Sequence, residues 1–483
     1  MSITNVAQEK VAGYLPLDYP GLWKSISLGI QLFIAIFPAT IFVPMVTGFN
    51  VSAVLFMSGV GTLLALAFTR GKMPLYYGSS FSAIIALQAV IAAVVATGAD
   101  KTEAIRVAQV GIVTAGAIEI VLGFLIWKGG QGWINALLPP IVTGPVAMTI
   151  AFGLSGAAIS MASGTCCLTD AAGKTTSSMT WWFVAGVTCL VTAAWSYYIR
   201  GKGLLRMLPI LGGAVVGILI SIPLGLVQVQ GWNDAQIVRL PPLTFPDFTS
   251  PMALTAAVTV GVIIIAVIPE FVAHLLQINE VIQKIGRDVG RKPDDLSKMV
   301  HMVLASGGIA DLFDGLGGGV LGTNYGEGIA TMLMSNAATF FAVIGASIIA
   351  ILASTSGHLE VLIRAVPEPV IGGLSIYMFG AFGMVGLKML MQVGSEELLK
   401  PEKLGVAVVI LILGLGGANA FGGALPMPLS GAMLTLFPAG IPAIAAAAFF
   451  GILLNLLFTL VNPDKLRAGA TQPESVTPGT PGE

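Results

Sequence analysis

The run GLGGGVLGTNYGEGIATMLMSN at 315–336 constrains the fold more than any other stretch, because the sequence around it is almost all membrane-spanning. A glycine-rich, extended piece ends at Tyr325-Gly326, and an apolar helix starts there with Glu327 in its first turn. In the hydrocarbon region, backbone leaves helical geometry only where protein buries it or where it lines a cavity. An ionisable residue beside such a break marks a functional site. Glu327 is therefore expected to face a small polar solute near the middle of the membrane.

The membrane reading rests on composition. The 483 residues are 55% hydrophobic and 10% charged, where a soluble domain carries about 25% charged residues, and the mean hydropathy is +0.90. Sixty glycines against seven tryptophans point to close helix packing and interrupted helices. A net charge of −1 gives no signal for nucleic acid. Cys166, Cys167 and Cys189 make no disulfide framework, and the adjacent pair is poorly placed to bond to itself. No cleavable signal peptide is expected, since residues 1–23 are polar and the first apolar span is too long for one. Both tails read as solvated extensions, and 468–483, rich in Thr, Pro and Gly, reads as disordered.

Apolar stretches long enough to span, at about 20 residues each, fall at 25–47, 51–69, 81–97, 104–127, 138–157, 181–199 and 205–227. After a polar segment at 228–251, a second set falls at 252–277, 299–312, a half-length helix from Gly326, 338–354, 370–390, 404–418 and 439–460. The expected fold is an all-α polytopic membrane protein of fourteen spans in two sevens. Its divisions are a cytoplasmic tail at 1–23, a first repeat at 24–227, an extracytoplasmic linker at 228–251, a second repeat at 252–462 and a disordered tail at 463–483. With the N-terminus inside, only Lys101, Arg106, Lys174, Arg239 and Arg364 of the 23 basic residues lie outside, as the positive-inside rule requires. The even count returns the C-terminus to the cytoplasm, and odd sevens give the two halves opposite orientations, as an inverted repeat needs.

The repeat shows in the third member of each seven. PLYYGSSF at 74–81 and GTNYGE at 322–327 each read as a short extended piece, a Tyr-Gly and a helix N-terminus. Two facing N-termini would aim free backbone N–H groups at one spot, which suits carbonyl oxygens or an anion. In the eighth stretch, Glu270 and His274 are four apart and share a helix face. Such a pair inside a membrane is a plausible proton relay. The bland alternative is a helix-end glutamate with a histidine satisfied by a carbonyl. Only His301 and His358 remain as further histidines, so no metal site is expected.

With these motifs in order, the chain resembles the nucleobase–ascorbate transporter family, and most closely its bacterial uracil-permease branch. The resemblance runs from about 25 to 460 and rests on Phe42-Val-Pro44, Gly78-Ser-Ser-Phe81, LPPIVTG at 138–144, Glu270 with His274, Asn324-Tyr-Gly-Glu327 and PVIGGLS at 369–375. It implies two inverted seven-span repeats, a core and a gate domain, and short antiparallel strands before half-helices in spans three and ten. Glu270 and Glu327 match the two carboxylates that grip the base. Phe81 and Gly326 match positions whose backbone N–H groups meet its carbonyl oxygens, with Ser80 and Tyr325 beside them. His274 matches the histidine tied to proton coupling, and Ser375 a hydroxyl supporting the second carboxylate, with Thr331 and Gln31 also near the site. The sequence departs from the family at Leu32, where the uracil branch has histidine after the glutamine, at Gly328, Ala330 and Ser335, and at Phe379 in place of a tyrosine.

The implied function is uptake of a nucleobase, uracil first, by proton symport with alternating access. Xanthine or another oxopurine is the alternative substrate, sodium the alternative ion, and an anion carrier on the same architecture the rival class. The implied setting is the plasma membrane with both termini cytoplasmic, a homodimer being common in the family. No cofactor and no enzymatic chemistry are expected, since no nucleophile–His–acid arrangement is visible. Glu119, mid-span in the fourth stretch, is not accounted for by the family pattern and reads as structural. Asp311 and Asp314 read as helix-end and turn residues, with a cation site as the alternative. The segment 284–298 reads as an amphipathic link at the membrane surface.

Overall fold

The protein is described by a computed structural model over residues 13–170, 173–199, 208–428, 430–431 and 440–461. The tail expected at 463–483 lies outside these residues, as does most of the N-terminal tail. Each expected apolar stretch carries a helix. The first half runs α1 (Leu22–Thr47), α2 (Val51–Phe68), β1 (Tyr77–Ser79), a single 3-10 turn at Phe81–Ala83, α3 (Ile84–Ala96), α4 (Lys101–Gly129), α5 (Gly132–Leu137), α6 (Pro140–Gly153), α7 (Ser155–Ser163), α8 (Met179–Tyr198) and α9 (Pro209–Ser221). The second runs α10 (Ala253–Gly261), α11 (Ile264–Asp288), α12 (Val300–Gly317), β2 (Gly322–Asn324), α13 (Gly326–Ser335), α14 (Phe340–Ser354), α15 (Gly357–Arg364), α16 (Glu368–Met391), α17 (Ser395–Leu398), α18 (Pro401–Ala420), a short ribbon of β3 (Ala424–Leu425) and β4 (Ile441–Pro442), and α19 (Ala443–Val461).

Among the described residues, eight helices are long and apolar enough to cross a membrane, with α6 and α7 counted as one at Pro140–Ser163, and a ninth span arises if the bent pair α14–α15 counts as one. The half-helices α3 and α13, and α9 and α10, are too short to span alone, whereas α11 and α12, at 25 and 18 residues, are long enough but less apolar. Helix packing sorts into two groups. One gathers α1, α2, α3, α4, α10, α12 and α14; the other gathers α6, α7, α8, α9, α16, α18 and α19. In the first group, glycine lets α4 and α12 close on one another. A Cβ on Gly116 would lie 2.7 Å from the Gly308 carbonyl oxygen, and one on Gly308 would lie 2.5 Å from that of Gly116. Small residues at such crossings let backbones touch, which is how membrane helices gain packing energy without a hydrophobic drive.

The sheet joins the two halves of the chain. β1 and β2 pair antiparallel with Tyr77 opposite Asn324, Gly78 opposite Thr323 and Ser79 opposite Gly322. The Ser80 amide extends the ladder by donating to the Leu321 carbonyl at 2.8 Å. Tyr325 crosses beneath it: a Cβ on Gly78 would stand 2.5 Å from the Tyr325 ring, and the Tyr325 hydroxyl donates to the Ser79 carbonyl at 3.0 Å.

Several expectations need correcting. Asp314-Gly315 is no turn: α12 continues through it to Gly317 and is capped by Gly318, which takes the left-handed conformation at φ 92°. The α4 packing holds this stretch helical, a tertiary effect that a local Asp-Gly signal does not carry. Cys166 and Cys167 are bonded to one another. The segment after residue 284 is not a separate surface link throughout, since α11 continues to Asp288. The N-terminal segment is not simply a solvated extension. Tyr14 donates to the Asn336 carbonyl at 3.0 Å and accepts from the Ala338 amide at 2.9 Å, while Asp18 pairs with Arg291 at 2.6 Å. The linker after α9 is likewise fixed to the first helix group, with Arg239 paired to the buried Glu360 and the Arg106 Nε donating to the Phe245 carbonyl at 3.1 Å.

Candidate functional site

The two half-helices begin where the sheet ends. Ser80 and Tyr325, both extended, occupy the positions before the 3-10 turn and α13, at φ −82° and φ −103°. Beyond them the first-turn N–H groups have no helical acceptor and carry the positive end of each helix dipole. α11 passes both ends. Its Glu270 accepts from the Ser82 hydroxyl at 3.2 Å, in the first half-helix. One turn later, His274 lies against the second, with its Nε2 3.3 Å from where a Cβ on Gly326 would be. The i, i+4 spacing expected to put Glu270 and His274 on one face thus lets a single helix reach both half-helices.

Glu327 occupies the first turn of α13 and is half-buried. It opens the half-helix that His274 of α11 contacts at Gly326, while Glu270 of the same α11 meets the other half-helix. The Thr331 hydroxyl donates to the Glu327 carbonyl at 2.8 Å, stiffening the turn through the backbone. Ser375 is fully buried on α16, where its hydroxyl donates to the Ile371 carbonyl at 2.6 Å. Gln31 donates to the Ser27 hydroxyl on its own helix at 3.3 Å. Ser80 is fully buried, and its hydroxyl has no protein partner. The Tyr325 side chain is directed into the sheet rather than away from it, as its bond to Ser79 requires. The His274 Nδ1 is buried and unpartnered.

An aromatic cluster closes one side. Phe81 stacks edge-on against Phe42 of α1 and Phe379 of α16, with ring centroids 5.7 and 5.9 Å away, and Phe42 meets Phe379 at 5.6 Å. Phe382 adds a fourth ring at 6.5 Å from Phe81. These rings bridge the two helix groups, so motion of one against the other must part them. Sequence reasoning missed Ser82 and Phe382, and did not join Phe42, Phe81 and Phe379 into one cluster. The one available signal was the hydroxyl immediately after Phe81, in the first turn of a half-helix. It also treated Leu32 and Gly328 as separate departures, whereas the Leu32 methyl Cδ1 lies 3.3 Å from where a Gly328 Cβ would be. An apolar wall therefore stands where those two positions meet.

This geometry brings carboxylates, half-helix amides and an aromatic cluster together. The sequence profile described as "Permease family" (Xan_ur_permease) matches residues 23–423. The chain is similar to the uracil permease of Bacillus caldolyticus, 33% identical over 91% of this chain and 93% of that one. It is also similar to the uracil permease of Escherichia coli strain K12, 32% identical over 92% and 94%, and to the putative pyrimidine permease RutG of the same strain, 29% identical over 89% of each. Among solved structures, the transmembrane domain of the cyanobacterial bicarbonate transporter BicA has the same fold, with a TM-score of 0.60 at 17% identity over 84% of this chain and 99% of that one. The murine anion transporter Slc26a9 in its inward-facing state gives 0.60 at 10% identity over 92% and 69%.

Proposed function

This chain belongs to the permease family, the nucleobase–ascorbate transporters that its motifs resemble, and on that premise we propose that it takes up uracil by symport with protons. It is a multi-pass membrane transporter of nucleobases and not an enzyme. The observation that carries the reading is the meeting of Glu270, Glu327 and two half-helix N-termini around one place. A pyrimidinedione carries N–H groups that two carboxylates accept and carbonyl oxygens that free amides donate to. Glu270 and Glu327 take the N–H groups, the amides of Phe81 and Gly326 take the oxygens, and the Phe81 ring covers the base.

His274 and Glu270 carry the coupling proton. The helix group bearing the half-helices acts as core, the other as gate, and the fourteen spans form two inverted sevens. The core shifts against the gate and the Phe81–Phe379 contact parts as access alternates. The plasma membrane is the setting, with both termini cytoplasmic. The anion-carrier reading is less favoured, although helix termini suit anions, because two carboxylates face the same place. An oxopurine shares the donor and acceptor pattern of uracil but is larger. The apolar contact of Leu32 with Gly328 favours the smaller base.

The test is equilibrium binding of uracil to purified protein. Glu327→Gln, which removes a charged acceptor worth about 1.5–3 kcal/mol, weakens binding roughly tenfold to a hundredfold. Unchanged affinity in that variant would remove Glu327 from the site.

A further inference from the structure

A buried acidic group packs against the same sheet and takes no part in gripping the base. Glu119 on α4 and Asp311 on α12 are 0% and 1% exposed, and Asp314, one turn on, is 2% exposed. The close crossing of α4 and α12 brings them together: a Cβ on Gly308 would stand 2.8 Å from the Glu119 Cβ, and one on Gly307 3.3 Å from its Oε2. Neither Glu119 oxygen, nor the Oδ2 of Asp311, has a donor from elsewhere in the protein. The Glu119 Oε2 lies over Gly307, and Asp311 follows one turn later on the same face of α12, so unpaired carboxyl oxygens from two helices share one buried place. Ionised carboxylates without donors are too costly to bury together, so the pair holds a proton.

The group is fastened to the strand that leads to Glu327. The Gly322 amide, first in β2, donates to Asp311 Oδ1 at 2.5 Å. A Cβ on Gly322 would stand 2.9 Å from Asp311 Oδ1, and side chains alternate along a strand, so Asn324 is on that same side of the sheet, as is Tyr77 opposite it. The Tyr77 hydroxyl lies 2.6 Å from the Ser306 hydroxyl on α12. Asn324 is fully buried, and both its amide atoms lack a protein partner, an independent unsatisfied group directed to the same place. The other titratable groups facing the pair are Asp314 from α12 and Tyr77 from β1, with Tyr76 beyond, bonded to Ser58 of α2. α11 presents Phe271 here, beside Tyr77, while its Glu270 and His274 face the half-helices. α10, also packed on α4, has no titratable residue. No ion pair reaches the three carboxyls among the described residues.

We propose that Glu119 and Asp311 form a second proton-binding site, separate from the base-gripping carboxylates, which sets how firmly α12 holds the β2 strand. With one proton shared, the pair carries one negative charge and Asp311 is a strong acceptor for the Gly322 amide. A second proton from water neutralises the pair and weakens that grip. Its loss restores the charge and tightens the strand that positions Gly326 and Glu327. The proton site does not depend on the nucleobase reading; only its link to uptake does.

The test is infrared spectroscopy of the purified, substrate-free protein, following the carbonyl stretch of protonated carboxylic acids as pH is varied in H2O and D2O. The expected result is a titrating, deuterium-sensitive band that is lost in both Glu119→Gln and Asp311→Asn but retained in Asp314→Asn. Glu119→Asp, which keeps the acid, shifts the band without abolishing it and guards against a fold defect. In vesicles, Glu119→Gln displaces the pH optimum of uptake, which a merely structural change would leave in place. A band unchanged in both Glu119→Gln and Asp311→Asn overturns the proposal. So does sodium-dependent thermal stabilisation of the wild type that Asp311→Asn abolishes, since that assigns the group to a metal cation.

Discussion

His274 of α11 stands against Gly326, the first residue of α13, with its Nε2 3.3 Å from the point a Cβ would occupy there. The same helix gives Glu270 to Ser82 at the opposite half-helix. One rigid element therefore fixes the spacing of two N-termini that lie far apart in sequence, at Phe81 and Gly326. Proximity imposed in this way is what a preorganised site requires.

The first prediction follows from that contact. Gly326→Ala places a methyl against the imidazole at a distance tighter than ordinary van der Waals contact. The helix should survive, since alanine favours it more than glycine by about 1 kcal/mol. Uptake kinetics should show an apparent KM for uracil raised about tenfold, equivalent to ~1.4 kcal/mol, with thermal stability unimpaired.

Ser82 supplies a donor to Glu270 from the first half-helix. Removing it in Ser82→Ala costs about 1 kcal/mol of a hydrogen bond to a buried carboxyl. Binding assays should show uracil affinity about fivefold weaker, a smaller loss than in Glu327→Gln.

Tyr325 tests the sheet rather than the pocket. Tyr325→Phe leaves the buried Ser79 carbonyl without its hydroxyl donor, at a cost of about 1–3 kcal/mol. Thermal unfolding should therefore occur at lower temperature. Uracil affinity should fall less than in Glu327→Gln, because the phenol is directed into the sheet.

At the other end of the fold, Glu360 is 5% exposed and accepts from Ser52 at 2.6 Å, from Asn50 at 3.1 Å, and from Arg239. Its partner Arg364 is mostly exposed. Breaking a buried pair strands the groups left behind at about 3–5 kcal/mol, whereas an exposed pair contributes about 0–1 kcal/mol. Glu360→Ala should lower the unfolding temperature far more than Arg364→Ala does.

The sequence made the site's frame legible because its signals are local. A Tyr-Gly ending an extended piece and opening a helix occurs twice, and the structure pairs those pieces as β1 and β2. Four-residue spacing puts Glu270 and His274 on one helix face, and in α11 they meet different half-helices. The approach of Glu119 to Gly307 and Gly308 of α12, and of Leu32 to Gly328, depends on which helices cross, and no local pattern encodes a crossing. The continuation of α12 through Asp314-Gly315 has the same cause: glycine there reads as a turn alone but as a close-packing surface beside α4. The anchoring of Tyr14 and Asp18 escaped because its hydrogen bonds are made largely by backbone, to which composition is blind.

The most direct measurement is uptake of labelled uracil into proteoliposomes, with and without an inward proton gradient, challenged by unlabelled xanthine, adenine and ascorbate. The account predicts accumulation that the gradient drives, that these competitors do not displace, and that Glu270→Gln with Glu327→Gln abolishes. Absence of uptake for uracil and every other base would contradict it, as would anion flux that survives neutralising both glutamates.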